Sequence, residues 1–153
     1  MGNVMAALSL VLVFLGLTGC TASRHEAVAP RIRIGTYDSR AVAIAYCGSD
    51  WHEAKIAERA RAYEQAKAVG DKKTVRQIES EMEAHQKRLH RQGFGTAPVD
   101  DILAVIADKM PGIAERANVA VIGSQWDKRF LKANKSADLV DVTEQVVAEF
   151  DSS

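Results

Sequence analysis

The chain has 153 residues, with 20 Lys/Arg balanced by 20 Asp/Glu, so its formal net charge is zero. That length fits one domain, and a mixture of 47% hydrophobic and 26% charged residues is that of a folded protein rather than a disordered one. Zero net charge argues against nucleic acid as a partner. Beneath it lies an asymmetry: residues 52–92 hold ten Lys/Arg against seven Asp/Glu, and residues 93–153 hold six against ten. A basic middle and an acidic end can steer a partner or align subunits, although scattered surface charge is the plainer explanation.

Residues 4–19, VMAALSLVLVFLGLTG, contain no charged group. The run is shorter than the about 20 apolar residues of a membrane-spanning helix, and it ends in small residues, as a signal peptide does. Its end, Leu17-Thr18-Gly19-Cys20, resembles the lipobox of bacterial lipoproteins. The resemblance implies cleavage before Cys20 and lipidation of its thiol. Two or three acyl chains then hold the protein to a membrane, each buried methylene contributing about 0.8 kcal/mol. No Lys or Arg precedes the run, which leaves an uncleaved anchor as the alternative. Position 6 is Ala rather than Ser or Thr, so an N-myristoylation reading fails. Thr21 after the cysteine resembles an outer-membrane address in a Gram-negative host. The expected partition is a signal peptide over 1–19, a tether over 20–30 and a folded domain over 31–153. The domain is expected in the cell envelope, lipid-anchored and facing the periplasm. With Cys20 acylated, Cys47 has no disulfide partner, and its apolar setting (AIAYCG) predicts a buried structural thiol.

Along the mature chain, Ile32, Ile34 and Thr36 alternate with Arg31, Arg33 and Gly35, which predicts a first strand. Asp38-Ser39 can cap a short helix over 41–46, with a longer strand as the alternative. Gly48-Ser49-Asp50 breaks the chain before a helix over 51–69 rich in Ala, Glu, Lys, Arg and Gln. Ile56, Ala60, Tyr63 and Lys67 fall at spacings of 4, 3 and 4. Gly70 stops that helix and Asp71 caps the next, in which Val75, Ile78, Met82, His85 and Leu89 repeat the pattern. Two such seams joined by a tight turn predict an antiparallel helical hairpin over about 51–92, each arm reaching about 30 Å. The seam is thin, since Lys67 and His85 stand at core-type positions, so it is expected to lean on the body or on another chain.

After the break at Gly93–Pro98, Asp100-Asp101 opens a helix to Lys109 whose apolar side holds Ile102, Leu103, Val105 and Ile106. Pro111-Gly112 is expected to interrupt it, with one further turn to Ala117. Residues 119–122 predict a short buried strand, 124–130 are ambiguous, and 139–142 predict a last strand. Thr143 caps a closing helix over 144–150, with Glu144 suited to its positive end. The fold class expected is therefore α+β: a small β-sheet body formed by strands from both chain ends, with the hairpin projecting from it.

RIRIGTYDSRAV at the start, with NVAVIGSQWD and DLVDVTEQVVAEF at the end, resembles the Skp/OmpH family of periplasmic chaperones. The resemblance covers about a third of the mature chain; the middle corresponds by order of elements rather than by sequence. It implies three subunits joined through their β bodies, with helical arms that enclose unfolded envelope proteins. The arms here are short, the chain is neutral where the family is basic, and the family lacks a lipid anchor.

No glycine-rich phosphate loop, CxxC pair or nucleophile elbow occurs in the sequence. No catalytic residue, metal ligand or cofactor is expected. His85 and His90 stand five apart, off a shared helix face, among Lys87, Arg88 and Arg91. Those three cations form a candidate partner-binding patch for anionic lipid or acidic protein, although a helix C-terminus, where positive charge is favoured, is the plainer explanation. Trp51 and Trp126 are read as core or hairpin-base packing, or as a client-binding surface. The function expected is a non-catalytic, oligomeric, membrane-anchored lipoprotein that holds unfolded or envelope proteins. A scaffold whose hairpin pairs with one fixed partner is the alternative.

Overall fold

The computed structural model describes residues 31–151. The expected signal peptide over 1–19, the candidate lipidation site Cys20 and the expected tether over 20–30 lie outside the described residues. Strand β1, Arg33–Tyr37, is buried along all but its first residue. It ends at Asp38, whose carboxylate accepts a hydrogen bond from the Arg40 backbone N–H and so caps α1, Ser39–Cys47. Ser49 caps α2, Asp50–Ala68, and its hydroxyl also donates to the Tyr46 carbonyl at 2.7 Å.

Gly70 turns the chain with φ of +74°, in the left-handed region that glycine enters without a Cβ penalty. Asp71 accepts from the N–H groups of Lys73 and Thr74 and starts α3, Lys72–Gly93. Tyr63 donates to Glu79 at 3.3 Å, and the His52 and His85 rings lie 5.6 Å apart, so α2 and α3 run antiparallel.

The α2 side of the seam keeps Ile56 and Tyr63 and departs from expectation at its other two positions, each replaced by the residue before it. Ala66 is buried, whereas Ala60 and Lys67 are exposed. Helix α2 therefore turns Arg59 inward in place of Ala60, and Lys67 lies at the surface, its ammonium 5.8 Å from the centre of the Tyr63 ring. On α3, Ile78 and His85 are buried as the spacing suggests, but Met82 is 37% exposed.

The stretch after the hairpin departs further from expectation. Helix α4, Asp100–Leu103, tightens into a 3-10 turn over Ala104–Ile106 instead of running to Lys109. Pro111 then stands in the first turn of α5, Met110–Ala117, so it begins a helix rather than interrupting one. Its missing N–H costs nothing there. Asn118, at φ 51°, ends α5 in the left-handed conformation. The next strand is β2, Ile122–Ser124, later in the chain and less buried than the expected 119–122 segment. Helix α6 follows at Lys128–Ala133, β3 at Asp138–Asp141, and α7 at Thr143–Asp151 closes the described chain.

The fold is thus mixed helix and sheet, with three strands in the order β2-β1-β3. Both pairings are parallel: Gly35 lies opposite Ile122, and Ile34 opposite Leu139. The strands are not the chain's ends, which corrects the expected body; β2 lies well inside and β3 feeds α7. Parallel pairing demands crossovers. The hairpin and α4–α5 belong to the first, and α6 forms the second. Close approach makes the second crossover possible, because a Cβ on Gly123 would lie 2.7 Å from the Phe130 ring.

The core gathers Tyr37, Val42, Tyr46, Val99, Ile102, Ile106, Ile113, Val142, Val146 and Phe150. Leu89, near the base of α3, packs against it, and Gln92 is completely buried. Gln92 donates to the Pro98 carbonyl at 2.8 Å and to Asp101 at 2.6 Å. The base of the hairpin is therefore part of the body, and only the distal arms stand clear of it.

Candidate functional site

The weak seam leaves a groove along one face of the hairpin. Apolar residues of α2 and α3 are too few to close the space between the arms, and an open hollow of about 850 Å³ remains. Its floor is Ile56, Ala60, Tyr63, Met82 and Leu89. Glu64, Glu79 and Glu83 stand among its walls, and Cys47 and His52 lie at its base.

Cys47 is exposed rather than buried as expected, because α1 ends there and turns its last residue toward the groove. Although the residue is exposed, desolvation pushes the thiol's pKa up, which keeps it a neutral thiol. That is the opposite of the activation a nucleophile requires.

At the base, His85 is stacked obliquely on His52, and His52 lies 5.2 Å from the Tyr46 ring. Burial holds both imidazoles below the ordinary value of 6.5, and Arg59 adds to the effect on each. His90 is exposed against Phe94, 4.7 Å between ring centres, and does not join the pair. Among the described residues no group of three or more His, Cys, Asp or Glu side chains is placed to hold a metal.

Of the three candidate cations, Lys87 and Arg91 line one hollow on α3, and Arg88 lines another. All three are exposed, but Lys87 is paired with Glu83 and Arg88 with Asp101 at 3.2 Å. Lys55 and Arg59, one turn apart on α2, come instead beside His85 and Arg88. Sequence reading missed these two; their spacing of four on one helix face was the available signal.

A second hollow, about 550 Å³, lies where β1 and β2 end, lined in part by Tyr37, Asp100, Ser124, Trp126 and Asp127. Trp126 is 49% exposed rather than core. Its indole N–H donates to Asp38 at 3.0 Å, and the Arg40 guanidinium lies 4.4 Å from its ring centre. Arg40 holds the Asp38 carboxyl well below the usual carboxylate range. The Asp38 backbone N–H donates to Thr143 at 2.9 Å, tying this corner to the start of α7. Burial, with Asp100 and Asp127 nearby, pushes Tyr37 up to about 12, so it stays protonated at neutral pH and offers no base. Trp51 packs edge-on against Phe150, 6.0 Å between ring centres, at the hairpin base.

Comparison of the chain with known protein families, with curated proteins and with solved structures finds no match. The groove on the hairpin is larger than the hollow at the strand ends and combines an apolar floor with ready access. No helix among the described residues is long and apolar enough to cross a membrane.

Proposed function

We propose that this protein is a lipid-anchored envelope protein of Skp/OmpH-like type that binds other polypeptides without catalysis. The observation that carries the reading is the open groove between α2 and α3, where Met82 and Ile56 offer apolar surface that nothing in the described chain covers. A concave apolar face of this kind supports a binding role. Helix-in-groove and extended-segment binding both use such a face.

The anchor proposed is lipid on Cys20, which would keep the groove close to the membrane, with the outer membrane favoured in a Gram-negative host. Subunits would associate through the sheet, whose edge strand β3 leaves Leu139 58% exposed, while Val121, just before the other edge strand, is 44% exposed. Uncovered edges favour pairing with another chain. A trimer is the state the family resemblance implies, and sedimentation of the delipidated protein checks it.

The decisive experiment follows light scattering of several chemically unfolded outer-membrane proteins as they are diluted from denaturant. The protein should suppress aggregation of more than one of them, and Met82→Glu should weaken that suppression by roughly tenfold, as loss of a central apolar anchor does. Protection of none would remove the holding function and leave the fixed-partner scaffold.

A further inference from the structure

The face of the hairpin opposite in character to the groove carries a compact cationic hollow of about 280 Å³. Lys55 and Arg59 enter it from α2, and His85 and Arg88 from α3. Arg88 is neutralised by Asp101, but Arg59 is in no ion pair among the described residues. Two of its lining groups are anomalous. Arg59 Nη1 and His85 Nε2 are both buried and without a hydrogen-bond partner, and His85 as a whole is 9% exposed. Orphaned polar atoms out of reach of water cost free energy, the more so on a guanidinium, and call for an acceptor.

We propose that this hollow is an oxyanion site for a phosphate group, with Arg59 and His85 as its principal donors and Lys55 as its outer cation. A planar guanidinium and an ammonium converging on one cleft are phosphate-binding chemistry. The charge also matches. Three cations, Lys55, Arg59 and Arg88, face two carboxylates, Glu81 and Asp101. Protonation of His85 raises the excess to two, which a phosphate dianion neutralises. In the empty site, His85 is held neutral by burial, then by Arg59, His52, Lys55 and Arg88. Tyr46, from α1, is the remaining titratable group in the lining, and it stays protonated because burial pushes its pKa up. An arriving phosphate gives Arg59 its acceptor and reverses the field at His85, which takes up a proton and becomes the second donor. The phosphodiester of a phospholipid headgroup presents the same acceptor oxygens with a single negative charge, which matches the excess of one cation that the lining holds before His85 is protonated.

The test uses the full chain in a neutral detergent and follows the His85 ring by NMR while inorganic phosphate is added. A saturable change is expected, with the His85 pKa raised in the bound state. Lys55→Gln and Arg59→Gln should each weaken binding by roughly tenfold, the size of one lost charge-assisted hydrogen bond. Lys55 is exposed, so its variant remains informative should Arg59→Gln disturb the hairpin. In a second arm, phosphatidylglycerol vesicles compete against phosphate, with phosphatidylcholine vesicles as control. Competition by the anionic vesicles alone assigns a lipid headgroup; binding of inorganic phosphate without such competition assigns a soluble ligand. An unsaturable change with phosphate, or a saturable one that neither variant weakens, would overturn the proposal.

Discussion

The body and the distal hairpin solve the problem of burial in opposite ways. In the body, short elements from distant parts of the chain converge, and Ile34, Ile106, Ile113 and Val146 are fully enclosed. In the hairpin, α2 and α3 are the longest elements, yet beyond the base they bury only Ala66 and Ile78. A long helix can be written by propensity and caps alone, whereas a core needs partners from elsewhere. Stability therefore resides in the body, and the hairpin spends its length on surface.

Four perturbations should separate the two regions. Phe150→Ala should have the largest effect: the side chain is 2% exposed and its ring meets those of Tyr46 and Trp51. A loss of about 3–5 kcal/mol is expected for such a truncation, read by chemical denaturation as one transition that takes the hairpin with it. A hairpin that stays folded after the body melts would break the comparison.

Gln92→Ala tests the joint between the regions. It removes donors to the Pro98 carbonyl and Asp101 in a fully buried position. About 2 kcal/mol of stability should be lost, the size of two part-buried hydrogen bonds, one of them to a carboxylate. Hydrogen exchange should quicken first at the base of α3 and in α4.

The pH response sharpens the contrast. His52 and His85 are both depressed from 6.5, chiefly by burial. The unfolded chain therefore takes up protons before the folded one, so stability is complete above about pH 6.5 and declines as the pH falls below it. Between about pH 7 and pH 5, exchange corrected for its intrinsic rate should accelerate at the paired bases of α2 and α3 and stay level in the sheet. Uniform acceleration would mean that the imidazole pair is not the sensitive element.

Gly70→Ala should have the smallest effect. A Cβ at that position meets nothing within 4 Å, so the cost is conformational alone. About 1 kcal/mol is expected for a non-glycine residue at positive φ. It should show as fraying of the 69–71 turn by exchange, without change in the melting of the body.

Much of the hairpin was legible in local sequence. Ser49, Gly70 and Asp71 mark its boundaries through caps and turn chemistry that act within a few residues. The first strand, the Asp38 cap and the closing helix after Asp141 were legible for the same reason. The candidate groove was only half visible. The thin seam announced that the hairpin would lean on the body or on another chain, but not that Met82 would be exposed or that Cys47 would be exposed at its base.

What the sequence determined by itself is the set of elements whose ends carry their own signals and the long polar helices that connect them. Tertiary structure decided the rest. Strand direction is absent from any local pattern, and the parallel order β2-β1-β3 emerges only when the crossovers bring Ile122 beside Gly35 and Leu139 beside Ile34. The one-residue displacement at two positions of the α2 seam is likewise a property of two helices in contact. Arg59 meets His85 across 26 positions of sequence because α3 is anchored to the body through Leu89 and Gln92, which fixes how the hairpin faces meet. Local propensity acts over a turn or two, and such pairings are settled by packing between segments that only the folded chain brings together.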